Sequence, residues 1–260
     1  FAFIHSYLTG MDLNLAAMRV MWITGLAAVF LTFAYHRIIR PVLLRKHAYR
    51  VTEVIPEAEG VWTVKLAPQK GGPVFDYLPG QFQFITFFRG RNLPEEEHHW
   101  TISSSPARRE YVSSTIKALG DFTSTIGETR PGDTAAVHGA FGRFSYVLHP
   151  QERDLVFIAG GIGITPLMSM IRHMRDTKDN RSVLLLYANR NEEQIVFARE
   201  LAEIEAGGHP SLRVVHVLSG PSPGWRGETG LLGREKIRRL CGEDLQGKVF
   251  YVCGPPGLAD

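Results

Sequence analysis

The stretch "LVFIAGGIGITPLMSMIRHM", residues 155–174, constrains the fold more than any other part of the chain. An apolar run of strand length ends in Gly160, Gly161 and Gly163, and a helix-type pattern begins at once with Thr165 and Pro166. Strand, glycine turn and helix in that order make the first half of a βαβ unit, and a parallel sheet follows if the pattern repeats. It does: "SVLLLYA", "LRVVHVL" and "KVFYVC" are further buried-strand runs, alternating with helical segments near 166–176, 194–206 and 234–240. Residues 151–260 are therefore expected to form an α/β domain on a parallel sheet. Glycines in such a turn let the backbone approach a ligand, and the free N–H groups at the helix start attract an anion such as a pyrophosphate. The spacing departs from G-x-G-x-x-G, because Thr165 and Pro166 stand where a third glycine belongs, so the turn alone also fits a plain strand-to-helix connection.

Upstream the period changes. Short alternating runs ("YRVTEV", "VWTVKLA", "FQFITFF", "YVSSTIKAL", "TAAVHGAF") are broken by Gly/Pro turns, which predicts an antiparallel barrel or sandwich over residues 46–150. Within it, "IKALGDFTSTI" sets Gly120 at a strand end and Thr123 in a short helix-like segment, a pattern that suits a bound anion and equally a helix cap. Two anion-type turns on two differently built domains predict two nucleotide ligands.

Residues 13–35 are almost wholly apolar, with Arg19 their single charge. At about 1.5 Å per residue, a helix of that length crosses a bilayer core. A buried core helix and a signal-like segment are the competing readings, and the run is too long for most of the latter. "HRIIRPVLLRKHAYR", residues 36–50, carries Arg37, Arg40, Arg45, Lys46 and Arg50 without an acid, as the cytoplasmic flank of a span does. A basic run can also be a nucleic-acid arm, but its place directly after an apolar span favours lipid headgroups. Residues 1–45 are thus expected to be a transmembrane helix with its basic flank, and the remainder to lie in the cytoplasm. A net charge of +3 is too small to imply a nucleic-acid partner, and 44% apolar with 21% charged residues is ordinary for a packed protein. Cys241 and Cys253 fit no zinc spacing and no disulfide framework, so a reducing compartment is expected. A start at Phe1 and an end at Asp260, just past a strand, suggest a piece of a longer protein.

"HHWTISSSP", residues 98–106, poses a choice between a metal site, a catalytic triad and a support for something flat. Adjacent strand residues point to opposite faces, so His98 and His99 cannot easily ligate one ion, and no metal site is expected. Nor do Ser103, Ser104 and Ser105 sit in a G-x-S-x-G elbow. From about residue 49 onward the chain resembles the ferredoxin-NADP reductase superfamily, in particular the dehydrogenase portion of ferric reductases and NADPH oxidases. Four motifs in the family's order carry the resemblance: "PGQF" (79–82), "HHWTISSSP", "GGIGITP" (160–166) and "VCGPPG" (252–257).

The resemblance implies an antiparallel β-barrel that binds FAD, followed by an α/β domain that binds NAD(P)H. His98 matches the basic position of the flavin motif, Trp100 the aromatic one and Thr101 the hydroxyl near flavin N5, with Ser103 leading the chain out beside the ring. His98 is taken as the ligand-facing member of its pair and His99 as pointing away. Gly120 and Thr123 match the FAD diphosphate loop, and Lys117 could add the fixed charge that a histidine lacks. Gly161, Gly163 and Thr165 match the pyrophosphate loop of the nicotinamide nucleotide. Cys253, Gly254 and Pro255 match the turn that sets a thiol near the nicotinamide, although Cys253 read alone is also a small residue ending a strand. Cys241 has no such match and is expected to be structural. Arg190, after the second strand of the α/β half, tilts the cofactor towards NADPH, with Glu192 and Glu193 close behind. The implied reaction is hydride transfer to flavin, catalysed with Thr101 and Cys253 at the rings, then single electrons to a membrane haem. His5 and His36 lie at opposite margins of the apolar run, so haem ligands would have to come from helices upstream. An iron–sulfur domain or a soluble protein is the alternative acceptor.

Overall fold

The computed structural model describes residues 16–39, 49–242 and 244–258. Residues 16–39 form one unburied helix, α1 (Ala16–Ala34), which widens into a π-type turn at Tyr35–Ile39. Ala16–Ile39 spans 24 residues and contains an 18-residue window of mean hydropathy 1.7, long and apolar enough to cross a membrane. Within it, the Thr24 hydroxyl donates to the Val20 and Met21 carbonyls, which satisfies that polar group locally. His36 and Arg37 lie in the π-type turn, whereas His5, Arg40, Arg45 and Lys46 lie outside the described residues. This segment up to His47 and the portion from Ala48 onward are separate compact units.

The second unit contains two sheets. In the first, β1 (Tyr49–Ala58), β2 (Val61–Pro68), β3 (Phe82–Phe88), β4 (Glu97–Thr101), β5 (Val112–Lys117) and β6 (Thr134–Phe141) pair antiparallel in the order β4-β3-β6-β1-β2-β5. Alternation builds its core: Val51, Val64, Leu66, Ile85, Phe87, Val112 and Ile116 face one another, with Ile102 and Ile126 added from the loops. A four-residue helix, α2 (Asp121–Ser124), follows β5.

In the second, β7 (Asp154–Gly160), β8 (Ser182–Asn189), β9 (Ser211–Leu218), β10 (Glu228–Thr229) and β11 (Lys248–Cys253) are all parallel, in the order β10-β9-β8-β7-β11. Helices α3 (Ile164–Thr177), α4 (Ala198–Gly207) and α5 (Arg234–Cys241) connect them. Strand β7 is apolar from Leu155 onward because both its faces are covered. Leu155, Phe157 and Ala159 pack with Ile164, Leu167 and Met168 of α3, while Val156 and Ile158 pack with Leu186, Val217 and Cys241 of α5. Cys241 is buried there, as expected for a structural cysteine.

The expected barrel does not close. Edge strands β4 and β5 meet at one isolated bridge, Ile102 with Ser114, and β1 shares only two residue pairs with β6. Past β4, the acceptors that a ladder would need are used by α3 instead. Ser169 donates to the Ser104 carbonyl at 2.6 Å, and the Arg172 guanidinium donates to the Ser103 carbonyl at 2.6 Å. Arg172 also makes a bidentate pair with Glu200 of α4 (2.6 and 3.0 Å) and lies 4.6 Å from the Phe197 ring centroid. These contacts sew the two sheets along a seam whose first-sheet side is the outer face of β2 and β5.

Candidate active-site cleft

Strand order reverses at β7, with β8 on one side and β11 on the other. In an open parallel sheet, a crevice forms beyond the carboxyl ends of the strands at such a point. Here the glycine turn after β7 and the Cys253–Gly254–Pro255 turn after β11 lie side by side, opposite the first sheet. A cleft of about 930 Å³ opens between them. Of the fourteen residues expected at the cofactors, Trp100, Thr101, Lys117, Gly161, Gly163, Thr165, Arg190, Cys253, Gly254 and Pro255 line it.

Gly161 and Gly163 serve different ends. Gly161 has φ +52°, and a Cβ there would meet nothing within 4 Å, so its backbone is bare to the cleft. A Cβ on Gly163 would stand 2.3 Å from the Cys253 carbonyl oxygen, so this glycine lets the two turns touch. Thr165 donates to the Ile162 carbonyl at 3.1 Å and closes the loop. Tyr187 of β8 holds it from below, donating to the Gly161 carbonyl (3.2 Å) and accepting from the Val196 N–H (3.3 Å). Burial raises the Cys253 thiol pKa, which keeps the sulfur protonated and neutral.

Four expected residues lie elsewhere. Ser103 is fully buried, with its hydroxyl bonded to Ser113 and Thr115 and its carbonyl to Arg172, so it faces the seam and not a ligand. His98 is not the cleft-facing histidine; His99 is. The His98 ring stacks 4.2 Å from the Phe122 centroid, and its Nε2 lies 2.9 Å from Glu96. By register, His98 and Trp100 pair with Ile85 and Gln83, inward positions of β3, and His99 with the outward Phe84; Trp100 lines the cleft from the strand face that it shares with His98. Thr123 is occupied by its own loop, accepting from the Leu119 and Gly120 N–H groups and donating to the Gly120 carbonyl. Thr123 and Gly120 shape the turn between β5 and α2.

Several neighbours carry no sequence signal of their own. Leu119 and Leu231, 77% and 82% exposed, bring apolar surface to the cleft from opposite sheets. Arg89 is 3% exposed, donates to the Thr125 and Pro94 carbonyls and lies 5.2 Å from the Phe122 centroid. It is a permanent cation behind the β5–α2 turn, and only its place after the apolar run of β3 could have hinted at burial. Lys117 and Arg190 make no ion pair among the described residues. Glu192 is drawn off Arg190 by the Ser222 N–H and hydroxyl.

The residues fit a flat ligand rich in acceptors. Trp100 and Thr101 line the cleft, the buried Trp100 Nε1–H has no partner among the described residues, and the flanking surface is largely apolar.

Residues 157–260 match the family model of the oxidoreductase NAD-binding domain. The NADH-cytochrome b5 reductase 2 of Mus musculus is 30% identical over 155 residues, covering 54% of this chain and 56% of the relative. The glycine betaine monooxygenase reductase subunit of Pseudomonas aeruginosa is 30% identical over 215 residues, 81% of this chain and 57% of the relative. The chain thus spans about half the length of these curated relatives. The cytochrome b5 reductase domain of Ulva prolifera nitrate reductase superposes with a TM-score of 0.70 at 20% identity, over 82% of this chain and 88% of that one. The chain shares its two-sheet fold with that domain, and the relatives named here are reductases.

Proposed function

We propose that the chain is the dehydrogenase portion of a membrane-tethered, FAD-dependent NAD(P)H oxidoreductase of the ferric reductase and NADPH oxidase type, passing single electrons to a haem in the membrane. The observation that carries this reading is the shared cleft, where Trp100, Thr101 and Lys117 of one sheet face Gly161, Thr165 and Cys253 of the other. FAD held there would accept a hydride from the reduced nicotinamide and give up its electrons one at a time. The chain's part is to hold and to exclude. Trp100 offers an apolar ring and an unpaired N–H, and Thr101 a neutral hydroxyl beside it. Lys117, backed by Arg89, supplies positive charge for the FAD diphosphate, while His98 and the Gly120–Thr123 turn shape the surface it lies on. Gly161 and the loop closed by Thr165 take the pyrophosphate of the nucleotide. Protonated Cys253, with Gly254 and Pro255, presents an uncharged wall to the nicotinamide, and Leu119 and Leu231 shed water from the rings. Arg190, free of its neighbouring acids, supports NADPH through its 2′-phosphate. Helix α1 and its basic flank support a membrane anchor with the two sheets on the cytoplasmic side.

A second reading is favoured by one observation: an alignment over 81% of this chain is to a monooxygenase reductase subunit, which points to an iron–sulfur or soluble acceptor. Reconstitution with FAD separates these outcomes. NADPH is expected to bleach the bound flavin, with a kcat/KM preference over NADH that Arg190→Ala reduces by about tenfold, the scale of one charge-assisted contact. In the full-length parent protein, a b-type haem signal should follow the flavin. Flavin reduction with no haem signal, alongside rapid reduction of an added ferredoxin, supports the second reading; a protein that takes up no FAD refutes both.

A further inference from the structure

A row of hydroxyls crosses the seam. On the outer face of the first sheet, Thr63 of β2 and Thr115 of β5 are directly paired across the ladder, with their oxygens 2.7 Å apart. Thr63 Oγ1 lies 2.6 Å from Glu57 Oε1 of β1, Thr115 Oγ1 2.9 Å from Ser103 Oγ, and Ser103 Oγ 3.1 Å from Ser113 Oγ. Thr63, Thr115, Ser103 and Ser113 are each at most 5% exposed. A row of four hydroxyls in the middle of a packed contact is an expensive way to fill space unless every oxygen is paired, as these are.

The two ends of the row open into different spaces. Thr115 lines the cofactor cleft, whereas Glu57 lines a separate cavity of about 510 Å³ on the same seam. Lys65, Arg172 and Glu200 act on Glu57 electrostatically, and Arg108, Arg175, Arg199 and Tyr111 complete the wall around it. A hydroxyl donates one proton and accepts two; Thr115 donates to Ser103 and Thr63 to Glu57, and rotation of the Thr115 hydroxyl from Ser103 to Thr63 joins the row. With Glu57 ionised, the rotated Thr115 hydroxyl donates to Thr63 and Thr63 to the carboxylate. With Glu57 protonated, Glu57 donates to Thr63, Thr63 to Thr115, and Thr115 to Ser103 as observed. The two arrangements differ by one proton at the Glu57 end and leave no oxygen unpaired.

We propose that Thr115, Thr63 and Glu57 form a proton path between the cofactor cleft and this second cavity. The inference rests on the hydride-transfer reading above. A hydride entering the cleft and leaving as two single electrons leaves one proton behind, and the acceptor does not carry it away. That proton is taken up by Thr115 Oγ1 as a new O–H bond forms; the original Thr115 proton passes to Thr63 Oγ1, and the original Thr63 proton to Glu57 Oε1. Glu57 then releases it to water in the second cavity, and rotation of the hydroxyls resets the row. No electrons move along the path. Burial raises the Glu57 pKa, with the Thr63 hydrogen bond and the Arg172 and Lys65 charges opposing, which brings the carboxyl nearer to neutral pH, where it can both take and give a proton.

The test uses the full chain loaded with FAD, reduced by one equivalent of NADPH and mixed with excess ferricyanide in a weakly buffered solution of a pH-indicator dye. In the wild type, one proton per flavin is expected to appear in step with flavin reoxidation. Thr63→Val and Glu57→Gln should each delay proton release by about tenfold or more, with flavin bleaching by NADPH unchanged and with Thr63→Ser restoring the wild-type rate. A second reading needs no flavin: in the FAD-free protein, the infrared band of a protonated carboxyl should persist above the pH at which ordinary carboxyls have ionised and vanish in Glu57→Gln. Proton release at the wild-type rate in Glu57→Gln, or the absence of that band from the wild type, overturns the path while leaving the hydride reading intact. A wild type that takes up no FAD removes both.

Discussion

At the scale of single residues, the glycines of the cleft divide into those that make room for protein and those that make room for a ligand. Gly163→Ala forces a Cβ to 2.3 Å from the Cys253 carbonyl, a backbone atom that cannot swing aside. Its expected cost is about 1–3 kcal/mol of unfolding free energy, read by urea titration. Gly161→Ala meets no atom but requires a side chain at φ +52°, which costs about 1–2 kcal/mol. It should also weaken NAD(P)H binding in calorimetry, whereas Gly163→Ala should do so only in proportion to unfolding. The sequence makes both glycines visible, but which does which is decided by the neighbour across the turn, 90 positions later in the chain at Cys253. The histidine pair shows the same limit. Alternation shows that His98 and His99 face opposite ways; only the folded structure shows that His99 lines the cleft.

At the scale of elements, the parallel sheet was the most legible part, because continuous apolar runs separated by amphipathic helices admit few other arrangements. The antiparallel half was legible as strands but not as a closed or open figure. "YVSSTIKAL" alternates as a half-exposed strand does, yet Val112 to Ile116 are all buried, since α3 and its neighbours cover the face that would have met water. Closure failed for the same reason, with Arg172 and Ser169 taking the carbonyls of Ser103 and Ser104. Arg172 is accordingly expected to be the costliest polar residue of the seam. Arg172→Met leaves the Ser103 carbonyl unpaired and Glu200 with Arg175 alone, for a loss of about 2–3 kcal/mol in urea unfolding. Arg172→Met combined with Glu200→Leu should lose less than the single change, because no carboxylate is then left in the contact.

At the scale of the whole molecule, stability should depend on pH through two histidines packed between elements. His173, its Nδ1 2.7 Å from the Tyr146 hydroxyl, and His216 both have pKa values lowered from 6.5 by burial. The unfolded chain therefore binds their protons more readily than the folded one. Stability is full above about pH 6.5, falls as pH drops below it and levels off beneath the folded pKa values. His173→Gln should flatten that slope in thermal melts between pH 7 and pH 5, and an unchanged slope would show that His173 titrates normally in the fold. Helix α1 belongs to this scale too, and its apolar length is plain in the sequence, whereas nothing in the period or composition announces the hydroxyl row. Serine and threonine in a strand look alike whether they meet water or one another.

The seam also bears on how a dinucleotide enters and leaves. Arg172, Ser169 and the Arg108–Asp176 pair fasten α3 to the loop after β4. Relative motion of the two sheets then costs least as a rotation about that line, with the cleft as the opening angle. Substitutions along the pivot, well removed from the nicotinamide, would be felt first in the dissociation rate of oxidised nucleotide and only later in the chemistry.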